Sequence, residues 1–551
     1  MRSGNDEKYE FLGQVGWNGF EVGAEGPLFK TKSGQNGSFI INGRYSTLDV
    51  ASKIGIDFGT GAAIPEYKDL SFIVDLPGTK LGRFKIFSLM GNSFIELGKE
   101  FETDENSYST RGIYIKNGAD LFVAGVTHNI MTSGSSRLKS TISYQTIGSD
   151  AFLDSLNYDS QTFQPWLRSY QQEQKVSVST QWKSKVGSRN TVSIGAVADM
   201  IFTNYLDSIM MPKTNYFILA DDVKGDLFFM RTYGEWQHSF TEKSTGYVGV
   251  NSQYMQYNGE VVVEPRLGFN YKLTPKQTFS IGAGLHSQIQ PRVIYYYQEY
   301  DSVSHQYGSK TNQDLKMSRS AHLVLGYNYN LTQNLRFKAE TYYQYLYKIP
   351  VKASFQEFSM VNFGDDFALP RQDSLVNDGT GKNYGVEITL EKFLSDGYYA
   401  LLTTSLYNSF YKGYDGVQRN TTFNGNYVVN LLAGYERKLT DKFTLTFDGK
   451  VVSAGGRRLV PFDFEKSYDT GEVSYDWTQA YENRYPSYFR VDFRVGLKMY
   501  GQKLTHEWAI DLQNLINHQN VYREGLDMAK QEVYTIYQIG FYPMFLYRLR
   551  F

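Results

Sequence analysis

The stretch "FRVDFRVGLKM", residues 489–499, alternates apolar and charged side chains almost without a break. Successive side chains of an extended chain point to opposite faces. One face therefore carries Phe489, Val491, Phe493, Val495, Leu497 and Met499, and the other carries Arg490, Asp492, Arg494 and Lys498. Eleven residues at about 3.3 Å each, tilted by about 45°, rise about 25 Å, the height of the apolar band of a membrane-spanning barrel. The stretch predicts a strand with one face in lipid and one face in water.

Other segments repeat this pattern. The alternation recurs in "FTLTFDGKV" (443–451), in "HEWAIDLQ" (506–513) and in "YYALLTTSLYNSFY" (398–411). In the last of these, Tyr398 and Phe410 bracket aliphatic outward positions, which is typical of aromatic girdles at the two membrane interfaces. The sequence therefore predicts an all-β fold, a transmembrane antiparallel up-and-down β-barrel.

The composition favours strands over helices. The chain has 551 residues with 45 Tyr, 37 Phe, 6 Trp, 50 Gly and only 13 Pro; aromatic residues are enriched in strands, and glycine supports tight turns. No segment reaches the roughly 18 consecutive apolar residues of a membrane helix. Lys and Arg (56) balance Asp and Glu (57), which argues against a nucleic-acid partner. The absence of cysteine fits an oxidising envelope compartment.

Short connections that begin with an apolar residue followed by Ser or Thr recur between the predicted strands. They are Phe240-Thr241, Leu273-Thr274, Leu331-Thr332, Leu394-Ser395 and Leu439-Thr440. The hydroxyls support tight reversals. Long polar segments such as 292–316, 349–381 and 454–487 lie between these turns, so we expect short and long connections to alternate strictly.

This rule divides the chain into strands from 8–24 to 534–551, with 137–148, 171–184, 190–203 and 225–239 among them. Bacterial single-chain barrels have an even number of strands, so we expect a barrel of the 22-stranded type with about 21 strands present. The missing strand is expected to precede Met1. The N-terminus "MRSGNDEKYE" lacks the apolar core of a signal peptide, which fits a mature chain or a gene whose front is missing.

Four motifs in order resemble the C-terminal barrel of TonB-dependent outer-membrane receptors. They are "EPRLGFNYKLTPKQTFSIGAGLHSQIQP" (264–291), "FNGNYVVNLLAGYE" (423–436), "THEWAIDLQNLINHQNVY" (505–522) and "IYQIGFYPMFLYRLRF" (536–551). The resemblance implies one barrel domain over 1–551 and location in the outer membrane. Family members also carry an N-terminal TonB-contacting segment and a plug domain, and neither has a counterpart here. Contact with the TonB complex would therefore require a plug segment that is not in this chain.

The chain ends on an apolar strand. Phe545, Tyr547, Leu549 and Phe551 share one face, while Arg548 and Arg550 share the other. A terminal Phe preceded by alternating apolar residues resembles the signal read by the barrel-assembly machinery, which binds such a strand by edge pairing. We expect the two arginines to point into a polar lumen, and we expect the apolar face to contact outer-membrane lipid.

No arrangement of catalytic or metal-binding residues is present in the sequence, and no cofactor is predicted. His506-Glu507, for example, lacks the second histidine of a zinc motif, because position 510 is Ile510. Candidates for contact with a small solute are the residues predicted to face the lumen. They are His286, Gln288, Gln290, Arg490, Asp492, Arg494, Glu507 and Asp511. Loop aromatics such as Trp166, Tyr295 and Phe363 offer rings for stacking.

Three functions are compatible with the sequence. The resemblance implies the barrel of a transporter for TonB-dependent uptake of a scarce solute, such as a siderophore, haem, oligosaccharide or peptide. A passive outer-membrane pore or an adhesin without energy coupling would keep the fold. A soluble all-β binding protein would use the same alternation to pack one sheet on another.

Overall fold

The computed structural model describes residues 2–551 except 18, 30–35, 47–64, 99–112, 158–159, 161, 212–215, 299, 302–303, 305, 365–371 and 529. Its main element is a closed barrel of 22 antiparallel strands. The barrel strands are β1 (Glu10–Gly16), β2 (Gly19–Pro27), β3 (Ser38–Tyr45), β4 (Glu66–Asp75), β5 (Arg83–Leu97), β6 (Ile113–Ser133), β7 (Ser136–Asn157), β8 (Thr162–Val186), β9 (Asn190–Met211), β10 (Tyr216–Ser239), β11 (Ser244–Met255), β12 (Glu260–Thr274), β13 (Gln277–Gln288), β16 (Ser318–Asn330), β17 (Leu335–Lys352), β19 (Leu375–Ser395), β20 (Tyr398–Lys412), β22 (Tyr427–Lys438), β23 (Phe443–Ala454), β24 (Tyr488–Tyr500), β25 (Thr505–Gln513) and β28 (Tyr542–Arg550).

Short strands and helices lie in the connections between the barrel strands. Two short strands add to the barrel sheet and two small hairpins stand apart from it: β18 (Phe355–Ser359), β21 (Gln418–Asn420), the hairpin of β14 (Tyr300–Asp301) and β15 (Gln306–Tyr307), and the hairpin of β26 (Val521–Asp527) and β27 (Glu532–Tyr537). The helices are α1 (Arg292–Tyr296) and α2 (Phe464–Thr470), with 3-10 turns at Met360–Asn362 and Trp477–Gln479. Among the described residues, no helix is both long and apolar enough to cross a membrane.

The first and last strands close the barrel. β1 pairs with β2 on one side and with β28 on the other, where Leu12 lies opposite Arg550 and Gly16 lies opposite Leu546. We call the end of the barrel where β1 begins and β28 finishes the turn end, and the opposite end the loop end. Closure pairs every backbone edge, which a barrel in lipid requires.

The strand count inferred from sequence is one short. The segment 8–24, expected as one strand, is a hairpin in which Val15 of β1 pairs with Phe20 of β2. The sequence between these two positions includes the dipeptide Asn-Gly (18–19), a favoured hairpin signal that the alternation count passed over. The chain supplies all 22 strands itself, so the prediction that one barrel strand is missing before Met1 is wrong. Met1 lies outside the described residues.

The predicted turns formed as expected at several positions of the turn end. The Thr241 hydroxyl accepts hydrogen bonds from the Lys243 and Ser244 amides, both at 3.1 Å. Thr440 accepts from Lys442 and Phe443 in the same way, both at 3.2 Å. These hydroxyls occupy backbone donors that the reversal of the chain leaves without ladder partners.

Strict alternation of short and long connections is wrong. At the loop end, four residues separate β7 from β8, β9 from β10 and β11 from β12. The first two of these connections are short because β7 to β10 run far beyond their predicted bounds. β7 and β8 stay paired from Ser136↔Ser184 to Asn157↔Thr162. Both strands extend past their predicted limits at 148 and 171, since a ladder outside the lipid needs no apolar face. The predicted last strand 534–551 divides into β27 and β28.

The two faces of the wall differ as the alternation predicts. Large apolar side chains on the outward positions are exposed along neighbouring strands, including Leu267, Ile281, Leu325, Val386, Leu406, Leu431 and Ile510. Paired registers place them side by side around the barrel, as in Ile281↔Leu325 and Val386↔Leu406. This belt contradicts the alternative of a soluble β-protein, in which such residues would pack against a second sheet.

A connection folds inward at the loop end. Val293, Ile294, Tyr295 and Tyr296 of α1 are buried against inner-wall residues of β9 to β12, including Ile201, Leu227, Met255 and Val262. The Tyr296 ring lies on Gly225, where an added Cβ would come within 2.4 Å of the ring. Burial raises the pKa of Tyr296 to about 12. The connection 289–317 is therefore anchored to one side of the lumen.

Candidate functional site

A pocket of about 690 Å³ lies in the lumen near the loop end, where β13, β16 and β17 meet the connection that follows β18. Its polar lining comes from the inner wall and includes His286, Gln288, Gln290, Ser318, Ser320, His322 and Gln344. Its apolar lining includes Ile289, Leu346, Ile349, Met360, Val361 and Phe363. A concave site with apolar walls and a few convergent polar groups is the usual form of a small-molecule site.

Three residues proposed from sequence line this pocket, with different freedom to bind. The side chains of His286 and Gln288 make no hydrogen bond with other described residues, and the centroid of the His286 ring lies 4.6 Å from that of His322. Gln290 is only 5% exposed, and its side-chain amide donates to Ser318 Oγ at 2.9 Å. The side chains of His286 and Gln288 are thus available to a solute, while the side chain of Gln290 links β16 to the connection after β13.

Sequence reasoning missed the residues that extend this site across the wall. His322 Nε2 lies 2.7 Å from Ser320 Oγ and 2.9 Å from Gln344 Nε2. Asn383 Nδ2 donates to Gln344 Oε1 at 2.7 Å, while Asn383 Oδ1 is buried without a partner in the described part of the chain. The alternation on β16, β17 and β19 places all of them inward, so the pattern that found His286 would also have found these.

The five charged candidates form a second inner surface on β24 and β25. Arg494 binds Glu507 and Asp511, each at 3.2 Å, across the strand pair. Arg490 Nε donates to Asp492 at 2.6 Å and Arg490 Nη2 to Gln513 at 2.8 Å. The structure brings the five residues together on one face of this strand pair. Their charges are paired with one another within and between the two strands.

The ion-paired surface continues across the closure of the barrel. Arg548 of β28 donates to Glu507 at 3.1 Å and to Gln14 of β1 at 2.8 Å, so this arginine points into the lumen as predicted. Lys498 binds Glu436 at 2.8 Å on the other flank. The pairs join β22 through β1, which indicates a structural role in holding the wall.

A buried carboxylate lies beside the pocket. Glu264 is 1% exposed and accepts from Ser287 Oγ at 2.5 Å, Gln253 Nε2 at 2.7 Å and Arg266 at 3.1 Å. A buried carboxylate with three donors is stabilised in its charged form and has little capacity left for a ligand. Within the described residues, no three His, Cys, Asp or Glu side chains are grouped to hold a metal ion.

The loop aromatics proposed for stacking have different environments. Trp166 lies within β8 rather than in a loop and is 42% exposed, whereas Tyr295 is 1% exposed in the core around α1. Tyr295 is therefore unable to stack on a solute, and that expectation is wrong for this residue. Phe363 lines the pocket and remains a candidate.

The C-terminal residues Phe545, Tyr547, Leu549 and Phe551 occupy one face of β28 and its end. Phe545 and Phe551 are 40% and 49% exposed on the outward face, and Tyr547 packs on Trp508 at 5.5 Å between ring centroids. β28 is paired on both sides in the closed barrel. The strand offers an edge only before closure.

Comparison with known proteins agrees with this geometry. Residues 69–516 match the family model described as TonB dependent receptor-like, beta-barrel. Comparison of the sequence with curated proteins finds no match.

Solved structures share the fold over the whole chain. The pyoverdine outer membrane receptor FpvA from Pseudomonas aeruginosa PAO1 has a TM-score of 0.70 and 11% identity, covering 100% of this chain and 79% of its own. BauA, the ferric preacinetobactin receptor from Acinetobacter baumannii, has a TM-score of 0.69 and 11% identity, covering 100% and 81%. The ferric-catecholate import receptor Fiu from K12 E. coli has a TM-score of 0.67 and 11% identity, covering 100% and 82%. At this identity the likeness establishes the fold.

The family match covers most of the barrel strands, and the closed 22-stranded wall with its outward apolar belt is the structure of an outer-membrane protein. The family and the similar structures named above are receptors and importers. The chain belongs to the TonB-dependent-receptor-like β-barrel family.

Proposed function

We propose that this chain forms the wall of an outer-membrane transporter that takes up a scarce solute by TonB-dependent transport. The observation that carries the proposal is the luminal pocket of His286, Gln288, His322 and Gln344, which lies toward the loop end of a barrel of this family. The similar structures include receptors for iron complexes, and the solute classes open to this chain are siderophore, haem, oligosaccharide and peptide.

The proposal assigns a role to each surface of the barrel. The outward belt contacts outer-membrane lipid, and the C-terminal face from Phe545 to Phe551 is the strand that the barrel-assembly machinery would bind before β28 pairs with β1. His286 and Gln288 contact the solute. The paired residues Arg490, Asp492, Arg494, Glu507 and Asp511 line the path as a polar surface, and energy from TonB would reach the barrel through a plug segment.

The test is solute uptake by cells that carry the gene in its own chromosomal context. Disruption of the gene should reduce growth on a limiting solute, and disruption of TonB should reduce it to the same level. A passive pore would give uptake that does not depend on TonB and that rises linearly with solute concentration. That result would replace the proposal with the pore.

A further inference from the structure

We infer that the luminal pocket recognises an uncharged, hydroxyl-rich solute of the oligosaccharide class, and this inference rests on the proposed function. The argument begins with the inner wall around the pocket. The inward positions of 282–288, 320–326, 342–346, 381–385 and 407–411 contain no Asp, Glu, Lys or Arg. Five adjacent strands thus present a continuous neutral surface toward the loop end.

The groups on this neutral wall both donate and accept hydrogen bonds. Gln288, Gln344 and Asn383 carry amides, which offer two donors and two acceptor positions each, and imidazole and phenol also do both. A sugar hydroxyl has the same dual character, so a surface of this kind can satisfy each hydroxyl in either role. An anionic ferric complex would instead require Arg or Lys, whose donors are charged.

Some of these groups are free to bind. The side chains of Gln288 and His286 and the Tyr342 hydroxyl form no hydrogen bonds within the described chain. Asn383 Oδ1 also lacks a described partner but is buried.

The charged surface of β24 and β25 offers no compensating field. Arg494 shares its charge with Glu507 and Asp511, and Lys498 and Arg548 are held by carboxylates at 2.8 Å and 3.1 Å. Arg319, which lines the pocket, is bound to Glu260 at 3.0 Å. Cations that are already paired attract a further anion weakly.

The test is equilibrium binding to the detergent-purified barrel by calorimetry. The uncharged probes are maltohexaose, xylohexaose and a fructan of similar length, and the anionic probe is the ferric complex of a linear tris-catecholate. We expect at least one uncharged probe to bind more tightly than the ferric complex. Tighter binding of the ferric complex, or binding of none of the sugars, would overturn the inference.

Three variants locate the binding. Gln344→Ala and Gln288→Ala should each weaken sugar binding roughly three- to tenfold, the effect of losing one neutral hydrogen bond. Gln513→Ala removes an amide from the charged surface and is the matched control, which should bind as the unaltered chain does. Equal weakening in all three variants would contradict the pocket. Binding here does not depend on TonB, so its failure is distinguishable from failure of uptake in cells.

Discussion

Phe11 and Phe551 stack on the outward face of the closing strand pair, with ring centroids 5.0 Å apart and planes at 21°. Their backbones are also hydrogen-bonded, since the Phe11 amide donates to the Phe551 carbonyl at 2.6 Å and the Phe551 amide donates to the Phe11 carbonyl at 3.1 Å. The last residue of the chain is therefore bound to the first strand by both its side chain and its backbone. The closure of the barrel rests on this contact and on the five register pairs between Leu12 and Gly16 of β1 and β28.

Removing the terminal ring should weaken this closure. We expect Phe551→Ala to lower the free energy of unfolding by about 1–3 kcal/mol, from lost ring contact and lost apolar burial. The shift would appear as a lower temperature of conversion on heat-modifiability gels. Phe541→Ala, which removes an exposed ring from a connection, is the control and should leave that temperature unchanged. An equal shift in both variants would refute a special role for the contact.

Replacing Arg494 should lower the free energy of unfolding more than replacing an exposed cation does. Arg494→Met leaves Glu507 and Asp511 facing each other without that cation, and we expect a loss of about 1–3 kcal/mol in a partly hydrated lumen. Lys438→Met breaks the exposed pair with Asp441 (side chains 66% and 96% exposed) and should lower the free energy of unfolding far less than Arg494→Met does. Urea unfolding of the two variants in detergent measures the difference. Similar losses would show that the luminal pair is as weak as a surface pair.

The assignment of faces can be tested with single cysteines, since the chain has none of its own. Leu325 points outward and is 45% exposed, while Val324 points into the lumen. A spin label at Leu325→Cys should be relaxed by oxygen, which concentrates in lipid, and a label at Val324→Cys by a water-soluble nickel chelate. The reverse pattern would mean that the barrel is inside out, and the whole account of the wall would fail.

Acid should loosen the connection between β20 and β22. Arg419 binds the Asp415 carboxylate with two hydrogen bonds, at 3.0 Å and 2.7 Å, and this lowers the pKa of Asp415 below its usual value. Because the folded pKa is depressed, the stabilisation is complete above the unfolded pKa of about 3.9 and is lost as pH falls through the folded pKa. Hydrogen exchange of residues 413–420 should stay slow at neutral pH and rise in strong acid.

The control for this pH effect is Asp415→Asn, which lacks the titrating carboxylate. In this variant the exchange of 413–420 should already be faster at neutral pH and should change less on acidification. A variant that keeps the pH profile of the unaltered chain would assign the loosening to another acid.

The sequence predicted the lipid-facing parts of the strands well and their extensions toward the loop end poorly. Side-chain alternation is a local consequence of strand geometry, so β24, predicted as 489–499, is found at Tyr488–Tyr500. The pattern is strong only where lipid selects apolar residues. Above the lipid, the ladder of β7 and β8 continues past the predicted limits at 148 and 171 to Asn157↔Thr162, where no apolar face is required.

The candidate site was predictable only in part for a similar reason. Alternation shows that His286 and Gln288 face the lumen, but their neighbours Gln344 and Asn383 are far away in sequence and meet them through the register of four strands. The sequence pattern also does not show that Tyr295 is buried, because its burial depends on how the connection 289–317 folds back onto β10 and β11. Such packing is set by tertiary contacts rather than by local periodicity.

The unequal strand lengths have a consequence for the surrounding bilayer. β1 has 7 residues and β8 has 25, so at about 3.4 Å per residue and a tilt near 45° they rise about 17 Å and about 60 Å. Lipids beside β1 and β2 meet a wall shorter than a normal hydrocarbon layer, and hydrophobic mismatch of this kind is relieved by local thinning or by leaning of the protein. The membrane around this barrel is therefore expected to be thinnest beside the β1–β28 pair, where the two ends of the chain meet. The barrel axis is expected to tilt toward that side.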